Sequence, residues 1–357
     1  MYRCEWALRD GGAGRNPRIR RRRSGSVAAM SPLVVGHRGA PGYRPEHTRS
    51  SYELALATGV DAVEPDIVAT RDGVLVIRHE NEISTTTNIA DHPEFADRKR
   101  TKAFAGHELT GWFTEDFTWA ELSTLRCRER IPQLRPDSAA YDDQEPMLRL
   151  LDLLALLDAA DRPVRLVLEV KHAAYFAAIG LDLVPLIERD LHAAGWWGDG
   201  ERLIVESFEP TVLAALQERG LPAAYIYLME AEGSPADLLL ARGAGAPTYR
   251  DEMSPAGLDA LVGHVDGISL DKKVILEPNK LGRVTGPSRV VADAHDRGLE
   301  VFAWTARPEN KFLVRQFREG SEPSRFGDYQ GEWAVLRDAG VDGVFVDHPD
   351  LGVAFFR

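Results

Sequence analysis

The chain has 357 residues, 44% apolar and 27% charged, with a formal net charge of −12. That length and balance suit one large α/β domain with insertions, or two medium domains. The surplus of acidic over basic residues argues against a nucleic-acid surface, which needs a basic groove. No apolar run reaches the roughly 18 residues of a membrane span, so stable membrane insertion is not expected. Cys4 and Cys127 are the only cysteines, too few for a disulfide framework, which fits a reducing, cytoplasmic setting.

Residues 1–29 form an arm with eight Arg against Glu5 and Asp10, so residues 30–357 carry −18. The cluster Arg18 and Arg20–Arg23 has the charge of an export signal but lacks its apolar core of about 7–15 residues. We read the arm as disordered or non-native, with Met30 as the start of a single domain spanning 30–357.

From there short β-rich runs alternate with helical patterns. Strands are expected at Leu33–Gly36, Ala62–Ile67, Arg165–Val170, Leu203–Glu206, Ala223–Leu228, Gly267–Leu270, Val301–Trp304 and Gly343–Val346. Helices are expected at Ser50–Thr58, Met147–Ala160, Phe176–Ala194, Pro210–Arg219, Pro255–Val262, Pro287–Arg297 and Gly331–Ala339. Glycines such as Gly59, Gly195, Gly220, Gly298 and Gly340 follow their ends. Eight β-then-α units predict a TIM (β/α)8 barrel. The stretch 84–146 breaks the alternation and is too long for a simple connection, so it should be a small insert over the C-terminal mouth. It is acidic, and Trp112, Phe113, Phe117 and Trp119 are expected to pack its own core.

Chemistry-bearing residues collect at the predicted strand ends. His37 and Arg38 close the first strand. Glu64 and Asp66 lie two apart in the second and share a face, Glu169 and Lys171 close the third, and His79 follows Leu75–Ile77. The active site of such barrels forms on that rim. Three carboxylates without a Cys/His cluster suit Ca²⁺ or Mg²⁺ better than zinc. Two histidines can exchange protons near neutral pH, and Arg38 and Lys171 supply cations for a phosphate.

The strings H-R-G-A (37–40), P-E-H-T (45–48), E-P-D-I (64–67), T-R-D-G (70–73), V-I-R-H-E (76–80), L-E-V-K (168–171), A-W-T (303–305) and G-V-D-G-V-F-V-D-H-P (340–349) together resemble the glycerophosphodiester phosphodiesterase family. The likeness runs from about residue 33 to the C-terminus, and the segment after His79 resembles the longer bacterial branch. It implies a barrel like that of the phosphatidylinositol phospholipases and metal-dependent hydrolysis of small glycerophosphodiesters to sn-glycerol 3-phosphate and an alcohol. It further implies His37 and His79 as acid–base catalysts, Glu64, Asp66 and Glu169 as metal ligands, and Arg38, Lys171, Phe208 and Trp304 as substrate contacts. His47 stands where the family usually has Asn, and Glu80 where it usually has Asp; neither is expected to touch a metal ligand. Asp342 and Asp347 resemble family positions, with a structural role as the alternative. A lysophospholipid or sphingolipid phosphodiesterase on the same barrel, or a non-catalytic binding barrel, are the rival readings.

Overall fold

A computed structural model describes residues 31–104, 107–280 and 283–357; the arm at 1–29 lies outside them. Strands β1 (Leu33–His37), β2 (Ala62–Glu64) and β3 (Asp66–Ala69) open the chain, and β4 (Leu75–Ile77) folds back antiparallel on β3. A separate two-stranded sheet, β5 (Arg100–Phe104) and β6 (His107–Gly111), stands in the insert. Then come β7 (Arg165–Val170), β8 (Leu203–Ser207), β9 (Ala224–Met229), β10 (Gly267–Asp271), β11 (Glu300–Ala306) and β12 (Gly343–Val346). The strand β1 pairs in parallel with both β2 and β12, and β2 and β3 both pair with β7. The sheet therefore closes into an eight-stranded parallel barrel with helices between strands, as the alternating pattern predicts.

The expected second strand, 62–67, is interrupted. Pro65 has no N–H to give a ladder, so β2 ends at Glu64 and β3 restarts at Asp66. The expected helix 176–194 is also two, Ala173–Ala178 and Leu183–Ala193, separated by Gly180 in the left-handed region. Helices at Ala236–Arg242 and Pro349–Phe356 went unread in the sequence.

Period-two alternation sorts each strand. Val35, Ala62, Val167, Ile204, Ala224, Ile226, Phe302 and Phe345 form one buried cluster inside the barrel. Their neighbours Val34, Val63, Leu166, Leu168, Val205, Tyr225, Val301 and Val344 belong to the larger core under the helices. Gly343 makes room inside, since a Cβ there would run into the Phe302 ring. Truncating Phe302 or Phe345 to Ala would cost about 3–5 kcal/mol.

One position further along each inward face lies the rim. Two residues past Val35 is His37; past Ala62, Glu64; past Val167, Glu169; past Ile204, Glu206; past Phe302, Trp304; past Phe345, Asp347. The barrel's own pleat thus delivers the site.

The 84–146 segment folds as short helices and the β5–β6 hairpin. Trp112, Phe113 and Phe117 are buried in it and Trp119 packs against the same core, so these rings hold the insert together. Leu109 and Arg130 reach the barrel mouth.

Candidate active site

A cavity of about 890 Å³ opens at the C-terminal ends of the strands, lined by His37, Arg38, His79, Glu169, Lys171, Glu206, Phe208, Trp304 and Arg307 among others. Cα register explains why its carboxylates are neighbours: Glu64 pairs across from His37, Asp66 from Glu169, and Glu169 from Glu206.

His37 points Nδ1 at Asp347 Oδ1, 2.6 Å away. The carboxylate accepts, so Nδ1 carries the hydrogen and Nε2 keeps its lone pair. Burial first, and then the Arg38 charge, bring the His37 pKa down to about 4. His79 places Nδ1 3.0 Å from Glu80 Oε1, while its Nε2 lies 3.4 Å from Lys171 Nζ. Burial, then Arg38 and Lys171, lower it to about 3. Glu80 also accepts from His172 Nε2 at 2.9 Å, so it clamps two imidazoles at once.

Glu64, Glu169 and Glu206 present carboxylate oxygens all within 4.8 Å of one another, every one buried. Glu64 Oε1 and Glu206 Oε2 have no hydrogen-bond partner. Burial, and then the charges of Asp66 and Glu169, raises the pKa of Glu64 and of Glu206 well above the usual range, and burial raises Glu169 too. Crowded, buried oxygens without partners are what a hard divalent cation satisfies, so the group can hold a metal. Glu206 escaped the sequence reading. Its signal was there, a carboxylate two residues beyond inward-facing Ile204 in an apolar strand.

Asp66 stands beside this group under different constraints. Its Oδ2 accepts from His47 Nε2 at 2.9 Å and forms an ion pair with Arg38 Nε at 3.2 Å, and Oδ1 faces Lys171 Nζ at 3.7 Å. Burial alone would raise its pKa, but His79, Arg38, Lys171 and the His47 bond hold it well below the usual range. The expectation that His47 touches no presumed ligand is corrected by that contact. His47 sits in the left-handed region at φ 63, which His tolerates better than most, and its Nδ1 accepts from Tyr52 at 2.8 Å.

Arg38 is likewise left-handed, φ 57. Its backbone N–H donates to Glu64 Oε2 at 2.9 Å, and Glu46 Oε2 accepts from Nη1 at 3.0 Å. Glu46 also accepts from Arg130 of the insert. Thr48 caps the helix that follows. Non-glycine residues held at positive φ store strain that functional sites commonly carry. Lys171 donates to Glu169 Oε1 at 2.8 Å and lies 5.4 Å over the Phe208 ring. Phe208 and Trp304 meet edge to face at 5.5 Å and wall one side of the cavity. Asp342 instead caps the β11 backbone and His295, away from the mouth.

Residues 37–351 match the glycerophosphoryl diester phosphodiesterase family. The chain belongs to this family. It is 31% identical over 341 residues to glycerophosphodiester phosphodiesterase GDPD6 of Arabidopsis thaliana, covering 88% of this chain and 83% of that one. A Treponema pallidum glycerophosphodiester phosphodiesterase is 25% identical, with 92% of each chain covered. An Oleispira antarctica phosphodiesterase, solved with the product sn-glycerol-3-phosphate, shares the fold at TM-score 0.58 and 19% identity over 91% of this chain and 96% of that one. The chain is thus a phosphoric diester hydrolase on a TIM barrel. No helix among the described residues is long and apolar enough to cross a membrane.

Proposed function

We propose that this chain cleaves small glycerophosphodiesters to sn-glycerol 3-phosphate and an alcohol at the barrel mouth, with His37 as base and His79 as acid. One observation carries this reading. Two histidines on one cavity each have Nδ1 fixed by a carboxylate, around a buried acidic group and a lysine. His37 is neutral at physiological pH, and its Nε2 takes the proton of the attacking hydroxyl. His79 is held unprotonated by burial first, and then by the Arg38 and Lys171 cations beside it. A phosphodiester seated between Arg38 and Lys171 offsets those charges, which lets His79 hold the proton that the departing alcohol needs. Phe208 and Trp304 flank the substrate and exclude water.

Glu64 and Glu169 would hold a divalent cation together with Glu206 or Asp66. Such a cation, when bound, sets positive charge against the phosphoryl oxygens. Four neighbouring carboxylates favour Ca²⁺, which accepts many protein oxygens, over Mg²⁺, which keeps its waters. The buried free thiol of Cys127 suits a reducing compartment, in line with a cytoplasmic location.

The test combines excess EDTA with glycerophosphocholine turnover. Activity should vanish and return on adding Ca²⁺ more fully than Mg²⁺; full activity in EDTA by metal-free protein would refute the metal reading. His37→Ala and His79→Ala should each lower kcat by about 10²–10⁴-fold. A near-normal rate in either removes that residue from its role.

A lysolipid substrate keeps one specific support. The helix Ala236–Arg242 carries Leu239, which lines the cavity and is 44% exposed, and Leu240, 71% exposed. The acidic insert favours the small, polar substrate. A tenfold preference for lysophosphatidylcholine over glycerophosphocholine in kcat/KM, without detergent, would reverse that choice.

A further inference from the structure

Asp347 does not act on His37 alone. Its Oδ2 accepts from Arg307 Nε and from Arg135 Nη2, each at 2.6 Å, while Oδ1 holds His37. Arg307 comes from the end of β11 and lines the cavity. Arg135 comes from the insert, immediately before its Pro136–Ala139 helix, and its side chain is 5% exposed. Its Nε donates to Glu309 Oε1 at 2.8 Å, and Glu309 is buried beyond Arg307. Arg135 does not line the cavity, so it has no route to substrate.

We propose that Arg135 is a positioning residue through which the insert, rather than the barrel, fixes the Asp347–His37 pair. Its planar fork spans two carboxylates from different loops, Asp347 after β12 and Glu309 after β11, and so sets where Asp347 stands. Arg307 cannot do this alone: it donates to the same oxygen and is 19% exposed, on the side open to substrate. Without Arg135, Oδ2 would keep only the partly exposed Arg307, so the carboxylate would turn more freely and the imidazole that it orients would turn with it. The insert is thereby part of the catalytic apparatus as well as a rim.

This inference rests on His37 being an acid–base residue, so His37→Ala is measured alongside. In the full chain with its metal, Arg135→Met should lower kcat about 10–100-fold, the usual cost of losing a group that orients a reacting one. KM should change by less than about threefold, because ground-state contacts are untouched. Arg135→Lys, which keeps a cation facing Asp347, should fall between Arg135→Met and the native protein. An active His37→Ala would sink the functional reading itself. A dead His37→Ala beside an Arg135→Met of native kcat, or one whose loss lies wholly in KM, would overturn the Arg135 assignment alone. Should Arg135→Met not fold by circular dichroism, Glu309→Gln releases only the far end of the fork. It should lower kcat several-fold, and an unchanged kcat there counts against the proposal equally.

Discussion

The two histidines sit on one rim, and burial and Arg38 lower both, yet they are clamped by very different carboxylates. His37 is held by Asp347, a carboxylate 1% exposed and bonded to two arginines, one of them from the insert. His79 is held by Glu80, which is 39% exposed and also serves His172. The first arm is a network of largely buried charges, in which the members depend on one another. The second is short and open to solvent, so water can replace what is lost. A buried network fixes geometry but fails as a unit; an exposed clamp tolerates change.

The sharpest way to break this contrast is to neutralise each carboxylate. Asp347→Asn takes the anion from Arg307, leaves Arg135 with Glu309 alone, and should cost about 3–5 kcal/mol in stability. The His37 tautomer is lost with it, so kcat should drop at least about 10²-fold. Urea unfolding and steady-state kinetics on the same preparation check both. Glu80→Gln should cost about tenfold or less in kcat and leave the melting temperature within a degree or two, because the Glu80 carboxylate is itself 39% exposed. Equal losses in the two variants would erase the distinction.

A smaller effect is expected in the acid stability. His37 is held at about 4 by burial and then by Arg38, below its unfolded value of about 6.5. Between those values the unfolded chain binds the proton and the folded one does not. Stability therefore rises with pH from about 4 to 6.5 and is lost as pH falls through that window. Glu209, pushed up to about 7 by burial, acts in the opposite sense, so the comparison between variant and native protein is the informative one. His37→Gln should flatten the slope by up to about 1.4 kcal/mol per pH unit. Urea midpoints at pH 5 and pH 7 decide it, and parallel slopes would contradict the buried, neutral His37.

The smallest expected effect is none. Deleting residues 1–29 should alter neither turnover nor melting temperature, since that Arg-rich stretch has no apolar period with which to bury surface. A truncated chain that melts several degrees lower would show that the arm contributes to folding stability.

Much of this was legible before folding. The alternation of β-rich and helical runs specified the closed parallel barrel, and the strand ends marked His37, Glu64, Glu169, Lys171 and Trp304 as residues of one rim, because strand geometry is periodic and local. The aromatic insert core followed from composition in the same way. What sequence alone left open depends on distances between segments far apart in the chain. Glu206 looked like one more polar residue at a strand end until register set it across from Glu169. His47 was read as harmless until the loop after β1 turned it onto Asp66. Arg135 and Asp347 lie 212 residues apart, and no local pattern predicts that a guanidinium will cross from an insert to the carboxylate behind His37. Periodicity fixes which face a side chain takes; only tertiary closure decides which charge it meets there, because buried charges must be paired wherever the chain brings them together.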